Sequence, residues 1–129
     1  MTEEKKTQYG DPMTYPFWEA AAQHRLIIQH CKRCGSHQFY PRPFCVKCAT
    51  GEVEWVETKG DGTIYSLTTV RVQISPAFNP PYNVALVQLD EGPRMLTDIE
   101  GINAKIGDRV KLTWRERTDA PPLPVWIPA

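Results

Sequence analysis

Long apolar runs are missing from this sequence. Nowhere do about 18 consecutive apolar residues occur, whereas a membrane-spanning helix needs about 20. No hydrophobic leader precedes the cysteines, so we expect the chain to remain in a reducing compartment, the cytoplasm, where disulfide bonds are disfavoured. These absences predict a cytoplasmic protein that has no membrane partner.

Net charge is also absent, because 15 Lys and Arg balance 15 Asp and Glu. The charges are unevenly distributed, however. Between Ala20 and Gly51 there are 5 basic residues and no acid, while from Glu52 onward 11 acids face 8 bases. A protein that binds nucleic acid through several phosphates needs a basic groove, so nucleic acid is a disfavoured partner.

Cysteine is scarce but concentrated in two Cys-x-x-Cys pairs, Cys31 with Cys34 and Cys45 with Cys48. Two such pairs this close can deliver four thiolates to one tetrahedral ion. We therefore predict one structural zinc. Iron is the alternative metal, because the ligand set alone does not separate the two. Since sulfur fills all four positions, the ion holds structure and does no chemistry.

Two other interpretations of the cysteines are disulfides and a thioredoxin-like redox pair. A redox Cys-x-x-Cys normally opens a helix after a strand, but Gly35 follows Cys34 directly. The basic residues around the cysteines also have two interpretations. They can stabilise the negative charge of a four-thiolate centre, or they can face an anionic ligand such as a nucleotide phosphate.

The first half of the chain predicts an arm, a helix and a metal-held ribbon. Residues 1–13 are polar and predict a mobile N-terminal arm. Residues 14–24 predict a short helix with Thr14 as its cap and Pro16 in its first turn. Phe17 and Trp18 would share a face that packs either on its own domain or on a partner chain. Residues 14–52 would form the helix and ribbon.

Residues 53–129 predict a small barrel with a proline-rich tail. Strands are expected at 25–30 and 37–42 in the ribbon, and at 54–57, 63–74, 84–89, 94–99 and 109–115 in the barrel. Five or so short strands with glycine turns and no second helix indicate a Greek-key barrel, of which the OB-fold is the commonest at this size. The tail, residues 119–129, contains four prolines and should run extended over the surface.

Two of these strands carry predictions about their faces. In the first long strand, Ile64, Val72 and Ile74 should lie on one side together with Val70. In the last predicted strand the alternation is strict, and it places Val110, Leu112 and Trp114 inward. Before them, residues 59–62 form a turn of residue types that accept positive φ.

The sequence resembles a known family through several stretches. They are Phe17-Trp18, His24-Arg25-Leu26, the two cysteine knuckles with Phe39-Tyr40-Pro41-Arg42-Pro43 between them, Gly60-x-Gly62-Thr63-Ile64-Tyr65-Ser66, residues 84–92 and residues 106–110. The family comprises bacterial and archaeal proteins with an N-terminal helix, a rubredoxin-like zinc ribbon and a C-terminal OB-fold. They are often encoded with thiolases. The resemblance covers residues 14–115.

This resemblance implies a non-catalytic accessory subunit of an acyl-CoA-metabolising complex. Its partner would be a thiolase or thiolase-like enzyme, for example in the degradation of an aromatic compound or a steroid, with the CoA moiety accommodated at the interface. As partner contacts we select Phe17, Trp18, Phe78 and Tyr82, which should lie exposed on the isolated chain. As contacts for CoA phosphates we select Arg42, Lys47, Arg71 and Arg94, because these side chains pair with phosphate oxygens.

No catalytic residue is selected from the sequence. There is no nucleophile elbow, and all four cysteines are assigned to the ribbon, whereas a thiolase needs a reactive thiolate and a base. Two other functions stay open at this point. One is a nucleic-acid-binding protein, since zinc ribbons and OB-folds both serve there. The other is a subunit that itself contributes residues to acyl-CoA hydration or carbon–carbon cleavage.

Overall fold

The computed structural model describes residues 9–76, 78–101 and 103–129. Most of the predicted mobile arm, residues 1–8, lies outside this part of the chain. The chain divides into two compact units. The ribbon unit comprises the residues up to Lys59 together with Trp114–Pro124, and the barrel unit comprises Gly60–Thr113 together with Val125–Ala129.

A short helical segment opens the ribbon unit. A 3-10 turn, Pro12–Thr14, leads into the helix α1, Tyr15–Ala21. Thr14 is the N-cap residue of α1 as predicted, but its side chain makes no capping hydrogen bond. Asp11 caps the preceding 3-10 turn by accepting the N–H of Met13 at 2.8 Å. The helix is also shorter than predicted, because the backbone turns to a φ of 58° at His24.

The aromatic face of α1 packs within the ribbon unit. Phe17 is only 5% exposed, and its ring centroid lies 4.9 Å from Trp18 and 5.4 Å from Phe39. Tyr9 meets Trp18 edge-on at 4.9 Å, and the Arg117 guanidinium lies 5.5 Å from the Trp18 ring. The expectation that Phe17 is exposed is therefore wrong, because its own domain already covers it.

Three antiparallel strands form the sheet of the ribbon unit: β1, Leu26–Cys31, β2, His37–Gln38, and β3, Val53–Thr58, in the order β2-β1-β3. We expected residues 54–57 to begin the barrel, but β3 pairs with β1 along its whole length. The two-residue β2 pairs with only part of one edge of β1. The backbone groups on the other edge of this buried strand also need hydrogen-bond partners, and β3 supplies them.

The barrel has five strands: β4, Gly62–Val70, β5, Tyr82–Leu89, β6, Arg94–Ile99, β7, Arg109–Arg115, and β8, Leu123–Pro128. The last two residues of β7 and the first two of β8 belong to the ribbon unit. The five strands close into a barrel in the order β4-β5-β6-β8-β7. Its core is aliphatic apart from one indole, with Ile64, Val87, Leu89, Ile99, Val110, Val125 and Trp126 all buried. The predicted fold class, mainly β with a short N-terminal helix, a ribbon and a small barrel, is confirmed.

The proline-rich tail is a barrel strand and not a surface segment. Trp126 is fully buried, and its Nε1–H donates to the carbonyl oxygen of Gly60 at 2.6 Å. β8 pairs in parallel with β6, where the Glu100 N–H donates to the carbonyl oxygen of Trp126 at 2.8 Å. Proline lacks an N–H but keeps its carbonyl and an extended-compatible φ, so the residues between the prolines can still build this strand.

The predicted faces of β4 hold only at its start. Ile64 is buried, but the pairing with β5 shifts register between Ile64 and Ser66, and the strand ends at Val70. Val72 and Ile74 therefore lie beyond the sheet, 71% and 76% exposed. In β7, Val110 is buried as predicted, whereas the Trp114 ring stacks on His24 in the ribbon unit with centroids 5.5 Å apart.

Two glycines enter the barrel for different reasons. Gly60 has a φ of +84°, and a Cβ there would lie 2.6 Å from the Cβ of Leu112. Gly62 has no positive φ, but a Cβ there would lie 2.6 Å from the carbonyl oxygen of Gln88. The first glycine is thus needed for both conformation and space. The second is needed because the backbone of β5 approaches closely.

Candidate metal centre and its surroundings

The four cysteines converge on one point. The Sγ atoms of Cys31 and Cys48 lie 3.6 Å apart, as do those of Cys34 and Cys45, and all four lie within 4.8 Å of one another. A tetrahedral zinc with Zn–S bonds of about 2.3 Å requires sulfurs separated by about 3.8 Å. The observed spacing therefore fits a tetrahedral metal with no repositioning of the backbone.

The backbone of each knuckle is turned toward its sulfur. The N–H of Cys34 donates to the Sγ of Cys31 at 3.4 Å, and the N–H of Lys47 donates to the Sγ of Cys45 at 3.4 Å. Such bonds favour the negatively charged sulfur over the neutral thiol. In both knuckles the backbone donors to the first cysteine come from the second and third residues after it, Arg33 and Cys34 for Cys31 and Lys47 and Cys48 for Cys45.

These hydrogen bonds change the acidity of the thiols. The backbone N–H of Cys48, followed by the Ser36 hydroxyl, lowers the pKa of the Cys45 thiol to about 6. The backbone N–H of Cys34 lowers the pKa of the Cys31 thiol. Metals bind the thiolate and not the thiol, so these two shifts favour the metal-binding form of Cys31 and Cys45.

A buried pair of glutamines supports the second knuckle. The side-chain amide of Gln29 spans the backbone of Arg42, accepting its N–H at 2.8 Å and donating to its carbonyl oxygen at 2.8 Å. Gln38 donates to Gln29 and to the carbonyl oxygen of Phe44, and accepts the N–H of Val46. The two amides thus fix the segment that carries Cys45.

Sequence reasoning missed Gln29 and Gln38. Both are buried, at 2% and 8% exposure, in strands that lead into and out of the first knuckle. The available signal was their position: they are directly opposed in the pairing of β1 with β2. A polar residue in a short strand is otherwise indistinguishable from a solvent-facing one.

The four residues selected for CoA phosphates divide between the units. Arg42 and Lys47 are exposed in the ribbon unit, and Arg71 and Arg94 are exposed in the barrel unit. The Arg94 side chain makes two contacts with its neighbours. Its guanidinium lies 3.6 Å above the Tyr65 ring, and its Nε donates to the Gln88 side chain at 3.3 Å.

A groove of about 570 Å³ adjoins this arginine in the barrel unit. Tyr65, Gln88 and Ile106 line it, together with Thr63, Ile64, Leu89, Asp90 and Gly107. Tyr65 and Ile106 are 49% and 65% exposed, so the groove offers apolar surface. The groove thus combines an aromatic ring, an arginine beside it and aliphatic side chains.

One ion pair stiffens the edge of the groove. Arg109 donates to both carboxylate oxygens of Asp90, at 2.7 and 2.9 Å, and to the Thr63 hydroxyl at 3.1 Å. The Arg109 hydrogen bond lowers the pKa of the Asp90 carboxyl. Both side chains are about half exposed, so solvent screens their attraction.

The residues selected as partner contacts have unequal exposure. Phe17 is buried, Trp18 is half-buried, and Phe78 packs on Tyr82 with ring centroids 5.4 Å apart. Among the residues that the structure describes, the exposed large apolar side chains belong to residues not selected: Tyr9, Tyr40, Phe44 and Val46 in the ribbon unit, and Tyr65, Val72, Ile74, Leu96 and Ile106 in the barrel unit. Sequence reasoning thus missed the segment directly after β4, which carries the exposed Val72 and Ile74.

None of the helices described here is long and apolar enough to cross a bilayer.

The fold and site define a zinc-ribbon protein with an attached OB-fold barrel. Residues 18–54 match the family model described as the ChsH2 rubredoxin-like zinc ribbon domain, and residues 55–115 match the ChsH2 C-terminal OB-fold domain. A "DUF35 domain-containing scaffold protein" of Pyrococcus furiosus is 34% identical over 114 residues, 83% of this chain and 82% of its own length. The chain belongs to this DUF35 family, which confirms the resemblance in the sequence.

Two further relatives carry the names of enzymes. A chain of the solved structure "Ltp2-ChsH2(DUF35) aldolase" superposes with a TM-score of 0.84 at 37% identity, covering 95% of this chain and 98% of that one. A "Probable enoyl-CoA hydratase alpha subunit" of Thermomonospora curvata is 42% identical over 117 residues. The chain spans only 37% of the length of that hydratase subunit.

Proposed function

We propose that this protein is a non-catalytic scaffold subunit of an acyl-CoA-metabolising complex whose catalytic partner is thiolase-like. The observation that carries the proposal is the near end-to-end match to a chain of the Ltp2-ChsH2(DUF35) aldolase. The match to a named scaffold protein over 82% of its length supports the same role.

The metal in this proposal is one structural zinc. Cys31, Cys34, Cys45 and Cys48 would each supply a thiolate, and the zinc-ribbon model matches the segment that contains them. Four sulfurs complete a tetrahedron and leave no position for water or substrate. When bound, zinc would cross-link the two knuckles, the second of which the Gln29 and Gln38 amides already fix through its backbone.

The partner would dock on exposed apolar side chains. In the barrel unit, Val72 and Ile74 follow β4 with both side chains largely in solvent, and the Phe78–Tyr82 pair follows them along the chain. Large apolar side chains left in solvent are typical of protein-binding sites when they lie together on the surface. Trp18 stays a proposed contact because it is half-buried, whereas Phe17 is already covered.

The CoA moiety would be accommodated beside Arg94. Its guanidinium is held by Tyr65 and Gln88, both of which line the groove, and arginine pairs readily with phosphate oxygens. Arg71 in the barrel unit, and Arg42 and Lys47 in the ribbon unit, stay proposed as further phosphate contacts because their side chains are exposed. Exposure alone does not favour one of these three residues over the others as a phosphate contact.

Co-expression with a thiolase-like subunit from the same host tests the scaffold proposal. We expect a complex that co-elutes in size-exclusion chromatography, with its partner identified by mass spectrometry. The Val72→Asp/Ile74→Asp variant should lose it, whereas Gln73→Asp, which adds charge on the alternate side of the same segment, should retain it. If the wild-type protein elutes alone as a monomer, the proposed function is overturned. If the double variant still binds the partner, only this docking surface is overturned.

Calorimetric titration of CoA into the purified complex tests the ligand proposal. Arg94→Gln should weaken binding, because the glutamine keeps polar character but loses the charge that pairs with phosphate. Arg42→Ala is measured beside it and separates the ribbon from the barrel. Equal affinity of the wild-type and both variant complexes would remove these two residues from the CoA site.

A second candidate function is a catalytic contribution to acyl-CoA hydration. The relative named as an enoyl-CoA hydratase alpha subunit favours it, at 42% identity over 117 residues. Assaying hydration of an enoyl-CoA by the isolated chain and by the complex decides between the functions. Activity of the isolated chain would replace the scaffold proposal with this one.

A further inference from the structure

Three side chains form a row across the sheet of the ribbon unit. His30 in β1 is directly opposed to His37 in β2 and to Glu54 in β3. Directly opposed residues project from the same face, with Cβ atoms about 4.5 to 5.5 Å apart. The two imidazole rings lie with centroids 4.8 Å apart at an angle of 42°, so they are neighbours without being stacked.

Glu54 fixes one of these imidazoles. Its Oε2 lies 2.8 Å from the Nδ1 of His30. An ionised carboxylate only accepts hydrogen bonds, so the Nδ1–H of His30 is the donor in this contact, and the Nε2 is the ring nitrogen that Glu54 does not engage. A histidine whose second nitrogen donates to a carboxylate is the arrangement that orients metal-binding imidazoles and raises their basicity.

We propose that His30 and His37 form a second metal site, distinct from the four cysteines, for a divalent transition ion that prefers imidazole. His30 supplies Nε2, His37 supplies one ring nitrogen, and Glu54 orients His30 without touching the ion. Metal–nitrogen bonds of about 2.0 to 2.1 Å require the two nitrogens to lie roughly 3 Å apart. With the ring centroids 4.8 Å apart and His30 held by Glu54, it is the His37 ring that would turn to meet this distance.

The environment favours an ion that keeps water ligands. His30 and Glu54 have 27% and 41% of their side chains exposed, so solvent reaches the row. Two protein nitrogens leave the remaining coordination positions to water or to a group of another molecule. Imidazole ligands suit zinc, nickel and copper, and affinity rises from manganese toward nickel and copper. The site should therefore bind nickel well and manganese poorly.

Calorimetric titration of Ni²⁺ into the zinc-loaded, tag-free protein tests the proposal. Elemental analysis before and after must show that the cysteine-bound zinc is retained. We expect one equivalent of Ni²⁺ to bind, with Mn²⁺ binding far more weakly. The His37→Asn variant should lose more affinity than the roughly tenfold loss that a change of an orienting residue costs. The matched control is His24→Asn, which removes the one other histidine of the chain, outside the row.

The role of Glu54 has its own measurement. Glu54→Gln should weaken Ni²⁺ binding by about tenfold, as loss of an orienting carboxylate does at other sites. In nitrogen-detected NMR of the metal-free row, this variant should also change the tautomer ratio of His30, which a merely structural residue would not do. Retained Ni²⁺ binding in a His30→Asn/His37→Asn variant, or an equal loss in His24→Asn, would overturn the proposal.

Discussion

The two units of this protein are stabilised by different interactions. The barrel unit buries mainly aliphatic side chains and one tryptophan, while the ribbon unit combines buried apolar side chains on α1 and β1 with a cluster of four thiols and two buried glutamine amides. Burial of apolar area stabilises a barrel without further ligands. In the ribbon unit, an ion bound by the thiols and paired polar groups would add to the apolar burial.

Because of this difference, the two units should respond to different perturbations. Removing an ion or a polar partner should affect the ribbon unit, and truncating a large apolar side chain should affect the barrel unit.

Metal removal should separate the two units most clearly. Structural zinc contributes a binding free energy of about 10 to 16 kcal/mol to small metal-held folds. After chelation, or in a Cys45→Ser variant, backbone amides in Leu26–Cys31 and Val53–Thr58 should lose protection, while those in Tyr82–Leu89 keep it. Hydrogen exchange with mass spectrometry measures both. Val46→Ser, an exposed change inside the same knuckle, is the control. Equal loss in the barrel strands would contradict the comparison.

Trp126→Ala should give the largest effect of a single change in the barrel core. Truncating a buried tryptophan costs about 3 to 5 kcal/mol, and the Gly60 carbonyl loses its donor. Trp126→Phe keeps most of the volume and should cost less. Denaturant unfolding of the metal-loaded protein gives both values. A Trp126→Ala variant as stable as the wild type would show that β8 does not hold the barrel.

Gln29→Leu should destabilise the ribbon unit by about 2 to 3 kcal/mol, since a buried polar group left unpaired costs roughly 1 to 3 kcal/mol. The affected groups are the backbone N–H and carbonyl of Arg42 and the amide of Gln38. Metal affinity should fall with it, measured by competition with a chromophoric chelator. Gln23→Leu, on an exposed position, should change neither quantity. An unchanged metal affinity in Gln29→Leu would separate the amide pair from the metal centre.

The smallest expected effect concerns the ion pair of Asp90 with Arg109. Because folding lowers the pKa of Asp90 below its ordinary value of 3.8, the pair stabilises the protein above that value. Its contribution is lost as the pH falls through the lowered pKa. The difference in thermal midpoint between wild type and Asp90→Asn should thus be constant near neutral pH and shrink below pH 3.8. A difference that grows on acidification would contradict this.

Some features were predictable because a local rule determines them. The spacing of Cys31, Cys34, Cys45 and Cys48 predicts the cluster, since each knuckle is short enough to orient both its sulfurs. Strand β7 was predicted with its observed bounds, because one face of it is polar and the alternation is clear. The domain boundaries at residues 13 and 52, with the mobility of the arm, stay predictions.

Other features depend on residues far apart in sequence. The prolines around Trp126 suggested a surface segment, and only the parallel pairing with β6 shows that the indole is needed inside. The faces of β4 failed because a register shift after Ile64 exchanges the two sides, which periodicity cannot detect. Gln29 reads as an ordinary polar strand residue until the backbone of Arg42 is brought against it.

The position of β8 between β6 and β7 determines how the barrel would fail. Deleting Leu123–Pro128 would remove the strand between β6 and β7 and leave each of them with an unpaired edge. Two open edges facing one gap are a template for a strand from a second molecule. Shortened forms of the chain should therefore self-associate by strand exchange, and a supplied peptide of the missing strand should compete with that association.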